Sequence, residues 1–167
     1  MINYAATKRN SKLWTTSLFT LGLILGIYVF KTHQGYNIYK VGLLEIGSIL
    51  FFPVMNELGQ YLGFLTIGGL RLNEVKFQFA DNGKELYITN LLPVGRNKLM
   101  QILISPMIIN ASVALYLSMT SSNGFYSVIL SFALGVSGND IAKAYSISRA
   151  PKGSTMLIDD DSRIYSI

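Results

Sequence analysis

Asn56, Glu57 and Gln60 stand at i, i+1 and i+4 in the stretch Pro53-Val54-Met55-Asn56-Glu57-Leu58-Gly59-Gln60-Tyr61. On a helix, residues four apart share one face. The same spacing is used by H-E-x-x-H, in which two imidazoles grip Zn²⁺ and the glutamate acts as general base on the metal-bound water. Here carboxamides occupy both imidazole positions, while Glu57 keeps its place. Neutral carboxamides are poor Zn²⁺ ligands beside imidazole. The stretch therefore reads as a disarmed metal site.

A second polar group interrupts an apolar run at Gly138-Asn139-Asp140. Asn56 and Asp140 each lie about fifteen residues into their hydrophobic segments, and at about 1.5 Å per residue they reach similar depth. A carboxylate inside a membrane helix is costly and faces a partner or a wet cavity. Asn56, Glu57, Gln60 and Asp140 are therefore expected to meet in one cluster. The plainest role for such a cluster is a hydrogen-bonded tie between helices.

The elements that must position these groups are hydrophobic blocks. Half of the 167 residues are apolar and 14% are charged, against about 25% charged in an ordinary soluble domain. Four segments follow, at 13–30, 41–70, 99–119 and 125–145. A bilayer core needs about 20 helical residues, so each is predicted to cross a membrane. The second is long and holds Pro53, Gly59, Gly63, Gly68 and Gly69, which predicts a kinked, tilted helix running past the interface. No small-residue cleavage site follows the first segment, so it is expected to be retained.

Basic residues set the orientation. Lys8, Arg9 and Lys12 precede the first segment. Arg71, Lys76, Lys84, Arg96 and Lys98 lie between the second and third, and Lys143, Arg149, Lys152 and Arg163 accompany the end of the fourth. The positive-inside rule places both termini, the loop 71–98 and the tail 146–167 in the cytoplasm. The net charge of +5 is explained by this bias, and no nucleic-acid partner is expected. Trp14 and the tyrosines near segment ends read as interface anchors.

Within the loop, Val75-Lys76-Phe77-Gln78-Phe79 and Glu85-Leu86-Tyr87-Ile88-Thr89 alternate apolar and polar residues around Asp81-Asn82-Gly83. That pattern predicts a small β-hairpin. An isolated hairpin is marginal in water, so it packs on the helices or offers an edge for strand addition by a peptide. The expected fold is mainly α, with about four transmembrane helices and one small cytoplasmic hairpin, in a single domain over 1–167.

Other chemistry finds little support. With no cysteine, disulfides and thiolate metal sites are excluded. His33, the single histidine, cannot build a histidine zinc site alone. Gly68-Gly69 lacks the Lys-Ser or Lys-Thr of a phosphate loop. Neither a metal nor another cofactor is expected.

Taken together, these residues resemble the small bacterial integral-membrane zincin-peptidase family, distantly similar to site-2-type intramembrane metalloproteases. The likeness covers the chain from about Val41 onward. It rests on Pro53 before the Asn56–Gln60 helix, the strand-like 76–79 and 86–88, Ile104-Ser105-Pro106, Ser137-Gly138-Asn139-Asp140-Ile141, and the ending Ala150-Pro151-Lys152-Gly153-Ser154 through Asp159-Asp160-Asp161. The resemblance implies that Asn56 and Gln60 occupy ligand positions, Glu57 the base position and Asp140 the third-ligand position. The departure at both histidines implies no catalysis. It leaves a pseudopeptidase in a bacterial cell membrane, a binding, immunity or regulatory subunit for a peptide or membrane-protein partner. Two other readings stand beside it: an active metallopeptidase with unconventional ligands, and a structural subunit of a transporter or secretion complex.

Overall fold

Apolar runs that satisfy their own backbone hydrogen bonds become helices, and the chain is mostly helical. The computed structural model describes residues 2–3, 8–29, 38–79, 86–120, 126–158 and 164–166. The predicted turn at 81–83, the loop around His33, the connector 121–124 and the acidic run 159–161 lie outside the described residues.

Helix α1 spans Lys8–Val29, α2 Ile38–Thr66 and α3 Arg96–Thr120. The predicted fourth segment is divided into α4, Tyr126–Val136, and α5, Gly138–Ser148, with Ser137 between them. Helix α2 carries on through Pro53 and α3 through Pro106, each proline removing one backbone bond. Gly69 ends the α2 region in the left-handed conformation (φ +74°), and the Leu70 amide donates back to the Phe64 carbonyl at 3.1 Å. Such an ending favours glycine, which gives the Gly68-Gly69 pair a structural role.

The hairpin forms as its alternation predicts. Strand β2 (Val75–Phe79) pairs antiparallel with β3 (Leu86–Asn90), with Phe77 opposite Ile88. The 146–167 tail, whose likeness to the family's ending implies a short strand, supplies two strands. Strands β1 (Ile2–Asn3), β4 (Val94–Gly95), β5 (Thr155–Ile158) and β6 (Ile164–Ser166) form an antiparallel sheet in the order β1-β6-β5-β4. Strands of two or three residues, such as β1, β4 and β6, are too short to carry a periodicity.

Asn90 fastens the hairpin to that sheet. Its Nδ2 donates to the Leu92 carbonyl at 2.7 Å and the Met156 carbonyl at 3.4 Å, and its Oδ1 accepts from the Ile158 amide at 2.8 Å. Asn90→Ala leaves the buried Ile158 amide unpaired, at a cost of about 1–3 kcal/mol. Thermal unfolding in detergent should register that loss, and an unchanged midpoint would remove Asn90 from its fastening role.

Two apolar clusters form the interior. One joins Phe64, Leu99, Ile102, Leu103, Ala144 and Ile147 to the strands through Val75, Ile88, Met156 and Ile164. The other gathers Phe52, Ala114, Ile129, Leu130, Ala133 and Leu134. Along α2, Phe52 belongs to one cluster and Phe64 to the other, and the residues between them include Asn56 and Gln60.

The helices touch closely where glycines stand. A Cβ on Gly22 would lie 2.6 Å from the Ser131 Cα, and Gly59 and Gly63 face Pro106 and Ile102. Outward faces carry large exposed apolar side chains, including Leu21 and Ile24 on α1, Leu50, Val54 and Leu62 on α2, and Ile108 on α3. Among the described residues, one stretch, Arg96–Tyr116 of α3, is long and apolar enough to cross a membrane, with mean hydropathy 1.6.

Candidate functional site

Residues 48, 52, 56, 60 and 64 recur every fourth position along α2, and all are buried. This stripe faces the interior, which brings Asn56 and Gln60 inward with Phe52 and Phe64. The remaining polar members come from the junction of α4 and α5. Ser137 is the linking residue, and Asp140 lies in the first turn of α5, the helix end at which a negative charge is favoured.

Asn56, Gln60 and Asp140, three of the four residues expected to cluster, are brought together. Asn56 Nδ2 donates to Asp140 Oδ2 at 2.6 Å, and the Ser137 hydroxyl donates to Asn56 Oδ1 at 3.0 Å. Together these bonds make a directed chain from Ser137 through Asn56 to Asp140. Asn56, Gln60 and Asp140 are 3, 4 and 3% exposed, so little water competes for these bonds. The Gln60 carboxamide is a further hydrogen-bonding neighbour of the Asp140 carboxyl. Glu57, the next residue on α2, is half-buried.

Two members carry no role in the sequence reading. Ser137 precedes Asp140 by three residues and Lys143 follows it by three, the spacing of neighbours on one helix face. That spacing was the available signal. It was obscured because Lys143 also fits the basic bias at a segment end. The Lys143 side chain is half-buried. On α3, Asn110 is another buried carboxamide, and its Nδ2 has no hydrogen-bond partner among the described residues.

Contacts at both ends fix α5. At its start, Gly138 lies against the α1 backbone at Thr15, and the Ser11 hydroxyl donates to Asn139 Oδ1 at 2.9 Å. At its end, Arg96 donates from Nε to the Ile147 carbonyl at 3.2 Å and from Nη2 to the Ser148 carbonyl at 2.7 Å. A guanidinium on these last carbonyls satisfies acceptors that the helix itself leaves open. Trp14, Tyr145 and Arg149 gather on the same side, with the Arg149 guanidinium 4.7 Å from the Tyr145 ring centre.

The donor set does not fit Zn²⁺. One carboxamide at a ligand position uses its nitrogen on Asp140 and its oxygen on Ser137, and carboxamides are weak zinc donors. Among the described residues, no group of three or more His, Cys, Asp or Glu side chains could hold a metal ion. What the arrangement offers is hydrogen-bond donors, acceptors and fixed charge inside an apolar bundle. No protein-family model, curated protein or solved structure matches this chain.

Proposed function

We propose that this chain is a noncatalytic, zincin-like pseudopeptidase of a bacterial cell membrane. It crosses the bilayer with about four segments, both termini cytoplasmic, and serves as a binding, immunity or regulatory subunit for a peptide or membrane-protein partner. The observation that carries this reading is the 2.6 Å bond from Asn56 to Asp140. Side chains at two positions that would converge on a metal are engaged with each other.

The membrane part draws support from the distribution of polarity. Exposed Leu, Ile and Val side chains cover outward faces of α1, α2 and α3, while Asn56, Gln60 and Asp140 are buried. Glycine-mediated close contacts between helices suit a bilayer, where packing and interhelical hydrogen bonds drive association. The binding part draws support from the hairpin. Among the described residues β2 pairs with β3 alone, so its other edge can take an extended peptide. Phe77 of β2 stacks on Tyr61 of α2 at 4.7 Å, directly beside Gln60 in sequence. A peptide added to that edge would run next to the helix carrying the polar cluster.

The test is the metal content of detergent-purified protein by mass spectrometry, beside an Asn56→His/Gln60→His variant. The expected result is no zinc in the native chain and near-stoichiometric zinc in the variant. Near-stoichiometric zinc in the native chain would instead make this a metalloenzyme with unconventional ligands.

A further inference from the structure

We infer that the cleft beside the start of α3 binds the phosphodiester headgroup of an anionic glycerophospholipid. The inference rests on the membrane reading of this chain and deepens it, because it assigns one specific lipid contact.

The cleft has a volume of about 400 Å³, within the range of about 300–1,000 Å³ found for small-ligand sites. It is lined by the segment 93–98, by Gly153 and Ser154, and by Gly68. These walls are tied to each other. Strand β4 pairs with β5, and the Arg96 amide donates to the Ser154 carbonyl at 2.9 Å. The turn before β5 is held as well, because Ser154 Oγ donates to the Pro151 carbonyl at 2.8 Å and Gly153 takes a φ of +89°. Among the described residues nothing lies within 4 Å of a Cβ at Gly95 or Gly153, so the space beside both is open.

Charge indicates what the cleft takes. Arg96 and Lys98 line it, and among the described residues no Asp or Glu does. The Arg96 guanidinium is engaged on the Ile147 and Ser148 carbonyls, so it supplies a fixed positive field. Lys98 is exposed, and its flexible stem and three donors can reach a phosphate oxygen. Exposed Lys152 adjoins Gly153 in the chain. Two observations favour a lipid over a soluble anion. Arg96 opens the stretch Arg96–Tyr116, which is long and apolar enough to cross a membrane, and this sets the cleft at the level of headgroups. Leu91 and Leu92, 49 and 46% exposed, directly precede Pro93 of the wall, and exposed leucines beside an anion site suit acyl chains. Basic pockets at the cytoplasmic ends of membrane helices take acidic headgroups in this way.

The test is native mass spectrometry of the full chain, released from neutral-detergent micelles holding equal amounts of phosphatidylglycerol and phosphatidylcholine. The native chain should retain a single phosphatidylglycerol and shed phosphatidylcholine. Lys98→Glu should weaken that retention at least about fivefold. Lys76→Glu makes the same charge change at an exposed position on β2 outside the cleft, and it should leave retention unchanged. Equal losses in the two variants, or no preference for phosphatidylglycerol in the native chain, would overturn the inference. Displacement of the lipid by excess inorganic phosphate would overturn it too, and would make the cleft a soluble-anion site. Should Lys98→Glu fail to fold, Lys98→Gln decides the same question with a smaller loss in the same direction. Alkaline carbonate extraction tests the membrane reading separately. A chain released by carbonate defeats that reading and the lipid site with it, whereas a chain that stays with the membrane yet shows no lipid preference defeats the lipid site alone.

Discussion

Asn56→Leu is expected to destabilise the folded protein by about 1–3 kcal/mol, beyond the loss of an ordinary helix-to-helix hydrogen bond. Leucine keeps the branched four-atom skeleton of asparagine, and its bulkier methyl groups add an overpacking cost of about 1–3 kcal/mol. What disappears is the donor to Asp140 and the acceptor from Ser137. A neutral hydrogen bond between membrane helices averages about 0.6 kcal/mol. Leaving a buried hydrogen-bonding group without its partner costs about 1–3 kcal/mol. The second magnitude governs here because Asp140 is 3% exposed and water cannot replace the lost donor. The readout is the unfolding free energy in mixed micelles. A loss under about 1 kcal/mol would mean that water reaches the cluster in the resting protein.

The decisive control is Asn56→Leu combined with Asp140→Leu. Replacing both partners of a buried polar pair by apolar groups can be close to neutral, so the double variant should recover much of the loss. Recovery would identify the pair as one coupled unit closed in the resting state. It would also bear on function. A peptide engaging the cluster would first have to open the Ser137–Asn56–Asp140 chain, which lowers its apparent affinity and favours partners that supply a replacement acceptor for Asn56.

Much of this cluster could be read from residue spacing. Asn56 and Gln60 were legible as one inward face because the four-residue repeat survives in a run otherwise rich in Leu, Phe and Val. Asp140 was legible as their partner by counting helical rise along two segments. The hairpin was legible because alternation over five residues is a strong local signal. Lys143 was not legible, since a lysine at a hydrophobic boundary has the same appearance whether it faces a carboxylate or water. The division of α4 from α5 was also hidden. Nothing in the run from Phe125 to Tyr145 stops a helix outright, and the contact that accompanies the break comes from Thr15, more than a hundred residues away in sequence. The sheet β1-β6-β5-β4 was hidden for a related reason: its order is set by long-range pairing of strands two to four residues long.

That distant contact yields the other large expected effect. Gly138→Val should displace α1 from α5 and lower stability by about 3 kcal/mol or more, at the upper end of the cost of overpacking. A Cβ at this position would lie 2.4 Å from the Thr15 Cα and 2.5 Å from its backbone nitrogen. Because the obstruction is backbone, no side-chain rotation relieves it. Either α1 moves as a body or α5 does, and the Ser11–Asn139 bond one residue away is lost in both cases. Gly47→Ala supplies the contrast. Among the described residues nothing lies within 4 Å of a Cβ there, and an alanine for glycine in a helix gains about 1 kcal/mol. A general intolerance of glycine replacement would depress both variants, whereas seating of α1 on Gly138 depresses one and leaves the other unchanged or improved. The cysteine-free background allows a direct positional check: a Ser11→Cys/Asn139→Cys pair should cross-link with Gly138 intact and fail to do so in Gly138→Val. Cross-linking retained in the valine variant would show that α1 is not seated as described, and the first turn of α5, with Asp140 in it, would then be open to a partner from the α1 side.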